Sequence, residues 1–302
     1  PCDVYCWKDG QGFWVGSHTG SITALIVLKN DQAISTGHDQ KIYIWDLNQH
    51  QLYQQKECSF WSRNACTNSD GTLLALLHDG INLMRIPSLE NLKIDQSNSR
   101  QSTRINGKGI VLSAVFDNAG QNLFIGKYNG QVHAYPVGEQ ATHRKTTTLQ
   151  THTGQVRGLV YHSRHSLVIS GGSEGTINLT RWPSNEAIKQ LLTDGEKLTS
   201  LQLSSDGSFL AVGNTDTTVT LWDLRVLDIP DMVGLPIAQF VPNSLGVIEY
   251  LSDDDHIPMP IRNSLRYLLT ILKFRFRYDI QVDELQLIQP GEYDILLEDL
   301  SS

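Results

Sequence analysis

The stretch SHTGSITALIVLKNDQAISTGHDQKIYIWD, residues 17–46, decides the fold of this chain. It begins near a histidine and continues as an alternating strand, a turn and a second strand. A corner that contains Asp39 then leads into a third strand, which ends in Trp45-Asp46. Alternation of apolar and polar residues with period two is typical of half-buried β-strands. The stretch therefore predicts three short antiparallel strands.

The same order of features returns in four further units, which become progressively less regular. These units occupy residues 58–86, 110–135, 152–180 and 194–223. The residues at the place of the strand-ending tryptophan are Trp7, Trp45, Met84, Tyr135, Thr180 and Trp222, with separations of 38, 39, 51, 45 and 42 residues. Repeats of about forty residues with several short strands each are typical of a β-propeller. The sequence predicts an all-β fold with five recognisable blades plus part of a sixth at the N-terminus.

Each repeat resembles the WD-repeat (WD40) family, and the resemblance covers roughly residues 3–240. In that family a histidine, a strand Ser or Thr, a corner Asp and a Trp form a hydrogen-bonded set within each blade. Matched by position, the resemblance implies a structural blade network at His18, Ser35, Asp39 and Trp45, at His152 and Ser170, and at Asp216 and Trp222. Buried imidazole, carboxylate and indole groups each need a partner, which supports the same set on physical grounds.

Two repeats depart from that pattern. The unit at 152–180 has Glu174 at the Asp place and Thr180 at the Trp place, and the last unit has Asp194 at the His place. We expect these two blades to depend on packing more than on the network.

The first residues align with the third strand of a repeat, since Val4 to Trp7 correspond to Ile42 to Trp45. We therefore expect an N-terminally truncated blade at residues 1–16, within a propeller domain at residues 1–240. The expectation is that the chain starts inside a propeller and is the C-terminal part of a larger protein.

The pattern changes after Arg225, and residues 241–302 are predicted to form a small α+β extension of two helices followed by a β-hairpin. The first helix is expected at 244–251, and the second has Ile261, Leu265, Leu268, Leu269 and Leu272 on one face. Alternation from Lys273 to Asp283 predicts a strand that pairs with a second strand at 293–297. The extension is similar to those of bacterial WD-repeat proteins. Residues 235–240 are expected to form the outermost strand of the last blade.

Composition excludes several classes of partner. The chain has 32 acidic and 24 basic residues and a net charge of -8, so nucleic acid is an unlikely partner. No apolar run approaches the roughly 18 residues that a membrane span needs. The four cysteines lack metal-binding spacing and fit reduced thiols in a cytoplasmic protein.

Several sharper hypotheses compete with structural explanations. Ser35, His18 and Asp39 contain the residue types of a hydrolase triad, but their recurrence within repeats favours a structural role. The histidines at 143, 152, 162 and 165 could suggest a metal site, although His162 and His165 fit a solvated turn. The stretch 171–175 resembles a phosphate loop but lacks its Lys-Ser/Thr ending.

Two charged stretches in the extension have similar alternatives. Asp253 to Asp255 could bind a cation, but a solvated loop is favoured. Lys273, Arg275 and Arg277 could bind an anion, but pairing across the predicted hairpin is favoured. The expected partners are Glu292, Asp294 and Glu298.

A rigid disc with variable loops predicts a non-catalytic binding, scaffolding or sensing module, without cofactor or metal, that binds a protein or peptide. The resemblance implies that the partner meets the face with the corner loops. The exposed positions there are Ser21, Thr23, His38, Tyr128, Gln155, Arg157, Ser173, Lys197, Thr199 and Thr215. One alternative is an enzyme with a site in the central channel, and another is an extension that docks an upstream domain. The expected inner strands show no repeated Asp, Glu or His, which disfavours the enzyme.

Overall fold

The computed structural model describes residues 2–92, 104–105, 110–137, 146–193, 197–228, 240, 242, 244–255 and 257–278. The chain divides into two compact units, Pro1–Trp222 and Asp223–Ser302. In the described residues the first unit is built of β-strands and the second is helical.

The first unit contains six antiparallel sheets, and each consists of strands that follow one another along the chain. The first sheet consists of β1 (Cys2–Lys8) and β2 (Gln11–His18). Blade 1 consists of β3 (Ile22–Val27), β4 (Gln32–Gly37), β5 (Lys41–Asp46) and β6 (Gln51–Glu57). Blade 2 consists of β7 (Asn64–Thr67), β8 (Leu73–Leu77), β9 (Ile81–Arg85) and β10 (Arg104–Ile105).

The remaining sheets follow the same order. Blade 3 consists of β11 (Val111–Phe116), β12 (Asn122–Lys127), β13 (Val132–Pro136) and β14 (Thr147–Thr148). Blade 4 consists of β15 (Val156–His162), β16 (Leu167–Gly172), β17 (Thr176–Arg181) and β18 (Glu186–Leu192). Blade 5 consists of β19 (Leu198–Leu203), β20 (Phe209–Asn214) and β21 (Val219–Asp223). The predicted propeller of five blades and part of a sixth is confirmed.

Strand register shows that the repeats are aligned correctly. The residue at the tryptophan place pairs with the second residue of the preceding strand in blades 1 to 4. The pairs are Ala33 with Trp45, Leu74 with Met84, Leu123 with Tyr135, and Val168 with Thr180. Trp222 lies in β21, the third strand of blade 5.

Successive blades pack through alternate residues of their strands. Ile34, Ile42 and Ile44 of blade 1 form one buried cluster with Leu74 and Met84 of blade 2. The opposite face of blade 1 packs against the first sheet. Strands covered on both faces read as continuous apolar runs, as in the segment 73–77.

The second unit begins with a short 3-10 helix, Leu224–Asp228, and contains α1 (Ser244–Asp253) and α2 (Met259–Arg277). Pro258 is the N-cap of α2, where a missing N–H costs no hydrogen bond. The core of this unit consists of Phe240, Ile248, Leu251, Ile257, Leu265, Leu269 and Leu272. The boundary between the units therefore falls after Trp222 and not after residue 240 as predicted, since Phe240 packs with the helices.

The strand that was predicted to start at Lys273 is wrong as far as the described residues extend. The helix continues through Arg277, because Leu265, Leu269, Leu272 and Phe276 keep the spacing of one helical face. Lys273 bonds to Glu249 of α1 at 2.7 Å. The predicted partners Glu292, Asp294 and Glu298, and the rest of the hairpin, lie outside the described residues. No described helix combines the length and apolar character needed to cross a membrane.

Candidate functional site

Blade 1 contains a closed hydrogen-bonded network of four side chains. His18 Nδ1 lies 2.9 Å from Asp39 Oδ2, and His18 Nε2 lies 2.7 Å from Ser35 Oγ. Trp45 donates its indole N–H to the same hydroxyl at 2.7 Å. Because a carboxylate can only accept, His18 donates from Nδ1, and Nε2 accepts from Ser35. Both ring nitrogens of His18, the hydroxyl of Ser35 and the indole N–H of Trp45 are therefore hydrogen-bonded.

The carboxylate of Asp39 ties this network to the start of blade 1. Burial disfavours its charged form, but the hydrogen bond from His18 holds the pKa of Asp39 below its ordinary value. The backbone N–H groups of Thr19 and Lys41 also donate to it, at 3.1 and 3.3 Å. The hydroxyl of Ser35 is buried and already bonded twice, so the set is a structural network and not an accessible nucleophile.

Blade 4 has a related network with different members. His152 Nδ1 donates to Glu174 Oε1 at 2.7 Å, and Nε2 lies 2.8 Å from Ser170 Oγ. Asn178 also donates to His152 Nε2, at 3.3 Å, and has its own oxygen satisfied by Gln190. Burial lowers the pKa of His152, and the neighbouring Glu174 opposes that shift. The longer Glu side chain thus replaces Asp in this blade.

Blade 5 does not bring Asp216 and Trp222 into a network, contrary to the sequence prediction. Asp216 accepts only from Thr218 in its own corner, and Trp222 Nε1 is buried without a partner among the described residues. The strand place of Ser35 is taken in blade 5 by Val212, which has no acceptor. Asp194, at the histidine place, lies outside the described residues.

The residues predicted for partner binding meet at one end of the blades. In three blades the corner residue donates its backbone N–H to the residue just before the inner strand. These bonds join His38 to Ser21 at 2.9 Å, Ser173 to Gln155 at 2.8 Å and Thr215 to Lys197 at 2.9 Å. In blade 3 the N–H of Tyr128 donates to Ile110 at 2.9 Å in the same way. We call this end of the blades the corner-loop face.

A β-bulge occupies the same place in four inner strands. The register shifts at Thr23, Leu112, Arg157 and Thr199. Thr23 and Thr199 donate their hydroxyls to carbonyls of the adjacent strand, at 3.2 and 2.9 Å, whereas Arg157 is exposed. A bulge redirects a side chain at the end of a strand. Three of the four bulge residues were predicted as partner-binding positions, but the bulges themselves were not predicted.

Sequence reasoning missed the aromatic part of this face. Trp61 lies between the ring of His38, with centroids 4.6 Å apart, and the guanidinium of Arg63, 4.6 Å from its centroid. Arg63 also reaches Asp79 at 3.4 Å. The available signal was an exposed tryptophan in a polar connection between blades, which suits a binding surface.

The other hypothetical sites do not assemble. His162 is buried and bonds to the carbonyl of Gly207 at 3.1 Å, so its prediction as a solvated residue is wrong. No three His, Cys, Asp or Glu residues group as metal ligands in the described part of the chain. Asp253 and Asp255 pair with Arg266 and Arg262.

Comparison with known proteins agrees with this geometry. A model of the family "WD domain, G-beta repeat" matches residues 13–46, 143–180 and 188–223. The chain thus contains WD40 repeats within a β-propeller fold. The matched segments leave out residues 47–142, in which Met84 and Tyr135 stand at the tryptophan place.

A structural comparison gives the same fold. The crystal structure of the Cps50 (Swd1) β-propeller domain of Myceliophteria thermophila matches with a TM-score of 0.59 and 15% identity. The match covers 68% of this WD40 chain and 66% of the other, just under two thirds of its length. Because 1760 solved chains match, the likeness identifies a fold and not a function. No curated protein matches the chain.

Proposed function

We propose that this WD40 propeller is a non-catalytic platform that binds a protein or peptide on its corner-loop face. WD40 propellers are typical of protein-interaction scaffolds, and the family is generally non-catalytic. The observation that supports the location is the repeated bulge, which lies beside the corner in four blades and directs side chains to one end. The proposed face therefore has the same backbone bulge in four blades, whereas the side chains on it differ from blade to blade.

The side chains on that face favour a peptide with both apolar and polar contacts. Trp61 and Tyr128 offer exposed aromatic surface, and Arg157 and Lys197 offer exposed positive charge. Interface energy is concentrated in aromatic and Arg anchors, so these residues are the candidate anchors. His38 and Arg63 hold Trp61 from two sides, which fixes its ring before a partner arrives.

The wider context is also a proposal. We infer that the propeller is the sensing or regulatory part of a larger multidomain protein and that it acts in the cytoplasm. The four cysteines are free, which supports a reducing compartment.

Substitutions at the two ends of the same blades test whether the partner binds the corner-loop face. The variant His38→Ala/Tyr128→Ala/Arg157→Ala alters the corner-loop face of blades 1, 3 and 4. The matched control Lys29→Ala/Gln121→Ala/Ser163→Ala alters exposed residues in the opposite turns of the same blades. Partners captured by the wild-type chain are identified and their affinities measured by calorimetry. We expect at least about a tenfold loss for the first variant only. Equal binding by both variants would contradict the proposed face.

A further inference from the structure

Blade 3 contains a buried lysine beside the corner-loop face. Lys127 is the last residue of β12, directly before the corner at residues 128–130, and it is only 4% exposed. Among the described residues no atom accepts a hydrogen bond from its ammonium group, and no carboxylate pairs with it. Burial lowers the pKa of Lys127, and no acidic neighbour in the described part of the chain opposes that shift. An unpaired buried charge is costly, so an anion at this place would be favourable.

The equivalent residue is glycine in blades 1 and 4, where the space beside it is filled. Strand register aligns Lys127 with Gly37 and Gly172. A Cβ atom added to Gly37 would lie 3.0 Å from Asp39 Oδ1. One added to Gly172 would overlap the carboxylate of Glu174. In these two blades a carboxylate therefore occupies the space beside the end of the second strand.

Blade 3 has no such carboxylate. Asn129 stands at the acid place of the repeat, and Gly107 stands at the histidine place. Asn129 is neutral and donates to Gln131 Oε1 at 3.1 Å. Blade 3 thus combines a cation at the end of its second strand with a neutral corner. The corners of the other four blades each contain an acidic residue, namely Asp39, Asp79, Glu174 and Asp216.

The side chain of Lys127 lies on the face of blade 3 that packs against blade 2. It shares this face of β12 with Ile125, which packs with Leu77 of blade 2. Burial and the nearby charge of Lys127 both lower the pKa of His133, which is bonded to Thr148 at 3.2 Å and supplies no negative charge. Lys127 Nζ is not one of the fully enclosed polar atoms that lack a partner, so a ligand that approaches from solvent can reach it.

We propose that Lys127 binds a side-chain carboxylate of the partner, so that the peptide recognised by the corner-loop face carries Asp or Glu where it meets blade 3. This inference rests on the proposed function and adds the chemical class of the partner. One carboxylate matches the single charge of Lys127, whereas recognition of a phosphate group favours the bidentate fork of Arg. Tyr128 lies directly beside the site and is 54% exposed, so the peptide residue next to the acid packs on its ring.

The site is tested first with acetate, which stands in for the side-chain carboxylate. Lysine ε-CH2 groups labelled with carbon-13 in the full chain are followed by NMR while sodium acetate replaces sodium chloride at constant ionic strength. The Lys127 signal is assigned from its loss in Lys127→Met. We expect this signal to shift saturably, and further than that of Lys29, an exposed lysine in the opposite turns. Acetamide, which has nearly the shape of acetate but no charge, should not shift it.

Two results of this experiment would overturn the proposal. One is a Lys127 signal that responds equally to acetate and acetamide, or that moves only as Lys29 does. The other is a clearly lower urea midpoint for Lys127→Met than for the wild type, which would show that the ammonium group is already paired within the chain. Without such a pair, exchange of a buried charge for an apolar side chain of similar length leaves stability unchanged or raises it.

Peptide binding then tests the partner class. Peptides are selected from a random library on the wild-type chain, and those that lose affinity for the variant His38→Ala/Tyr128→Ala/Arg157→Ala are kept. We expect each to contain one Asp or Glu whose change to Asn or Gln weakens binding at least about tenfold, as for a hydrogen bond to a charged group. With Lys127→Met the same change should have almost no effect, whereas with Lys29→Met it should have its full effect. An equal loss with Lys127→Met and wild type contradicts the assigned contact.

Failure of this inference can be distinguished from failure of the proposed function. If acetate saturates Lys127 but no selected peptide depends on the corner-loop face, the anion site stands and the proposed peptide-binding face fails. If peptides depend on that face but none depends on Lys127, the face stands and the assigned carboxylate contact fails.

Discussion

Blades 1 and 5 both end in Trp-Asp, but they satisfy the tryptophan differently. Trp45 donates to Ser35, which also bonds to His18, whereas Trp222 has no partner among the described residues. The difference comes from one strand position, Ser35 in blade 1 and Val212 in blade 5. The shared Trp-Asp ending therefore marks the end of the third strand. Whether its tryptophan joins a network depends on a hydroxyl residue in the second strand of the same blade.

The largest effect is expected when the central hydroxyl of blade 1 is removed. Ser35→Val leaves the indole N–H of Trp45 and Nε2 of His18 without a partner in a buried site, at a cost of about 2–4 kcal/mol in unfolding free energy. Urea denaturation measures the loss. Ser35→Thr is the control, because Thr has nearly the shape of Val but keeps the hydroxyl. A similar loss in both variants would show that packing, and not hydrogen bonding, dominates at this position.

A smaller difference is expected between the two tryptophans. Trp45→Phe removes a donor from a completed network and should cost about 1–3 kcal/mol more than Trp222→Phe, which removes an N–H that has no partner. Both variants lose the same ring atoms, but Trp45 is buried and Trp222 only partly buried, so lost packing also contributes to the larger cost at Trp45. Thermal and urea unfolding of the two proteins supply the comparison. Equal destabilisation would mean that Trp222 has an acceptor after all.

The sequence predicts the blades because their strands are buried between neighbours. Met84 and Tyr135 occupy the tryptophan place in correct register although neither is Trp, since turn chemistry and spacing define the strand without it. The outer strands are harder to predict. In β6 (Gln51–Glu57) most side chains are exposed, so the strand has no apolar alternation to detect.

The misassigned segment at 273–277 has a different cause. Phe274 and Phe276 alternate with Lys273, Arg275 and Arg277, which fits a strand, but Phe276 also continues the apolar face of α2. Packing against α1 selects the helix, and such tertiary contacts are not visible in local periodicity. The network of blade 5 fails to form for a reason that is visible in the sequence. Val212 lies ten residues before Trp222, as Ser35 lies ten residues before Trp45, so the alignment of the two repeats already shows that the hydroxyl is missing.

Blade 4 is intermediate between blades 1 and 5, because it has a network but no tryptophan in it. Its histidine tests how much such a network contributes to stability. His152 is buried beside Glu174, and burial lowers the pKa of this histidine below 6.5, its value in the unfolded chain. As pH falls below 6.5 the unfolded state therefore takes up a proton before the folded state does. The stability that His152 contributes through this difference is fully present above pH 6.5. It is lost as the pH falls toward the pKa of His152 in the folded state.

One proton is involved, so this is the smallest of the expected effects. Unfolding free energy is measured from pH 8 down to pH 5 for the wild type, His152→Gln and the exposed control His38→Gln. His152→Gln should be less stable at pH 8, because the bonds to Ser170 and Glu174 are disturbed, but should lose less stability on acidification than the wild type. His38→Gln controls for the replacement of a histidine by glutamine at an exposed position. If His152→Gln keeps the wild-type slope, His152 takes up its proton equally readily in the folded and unfolded chains, and the acid sensitivity of this region arises elsewhere.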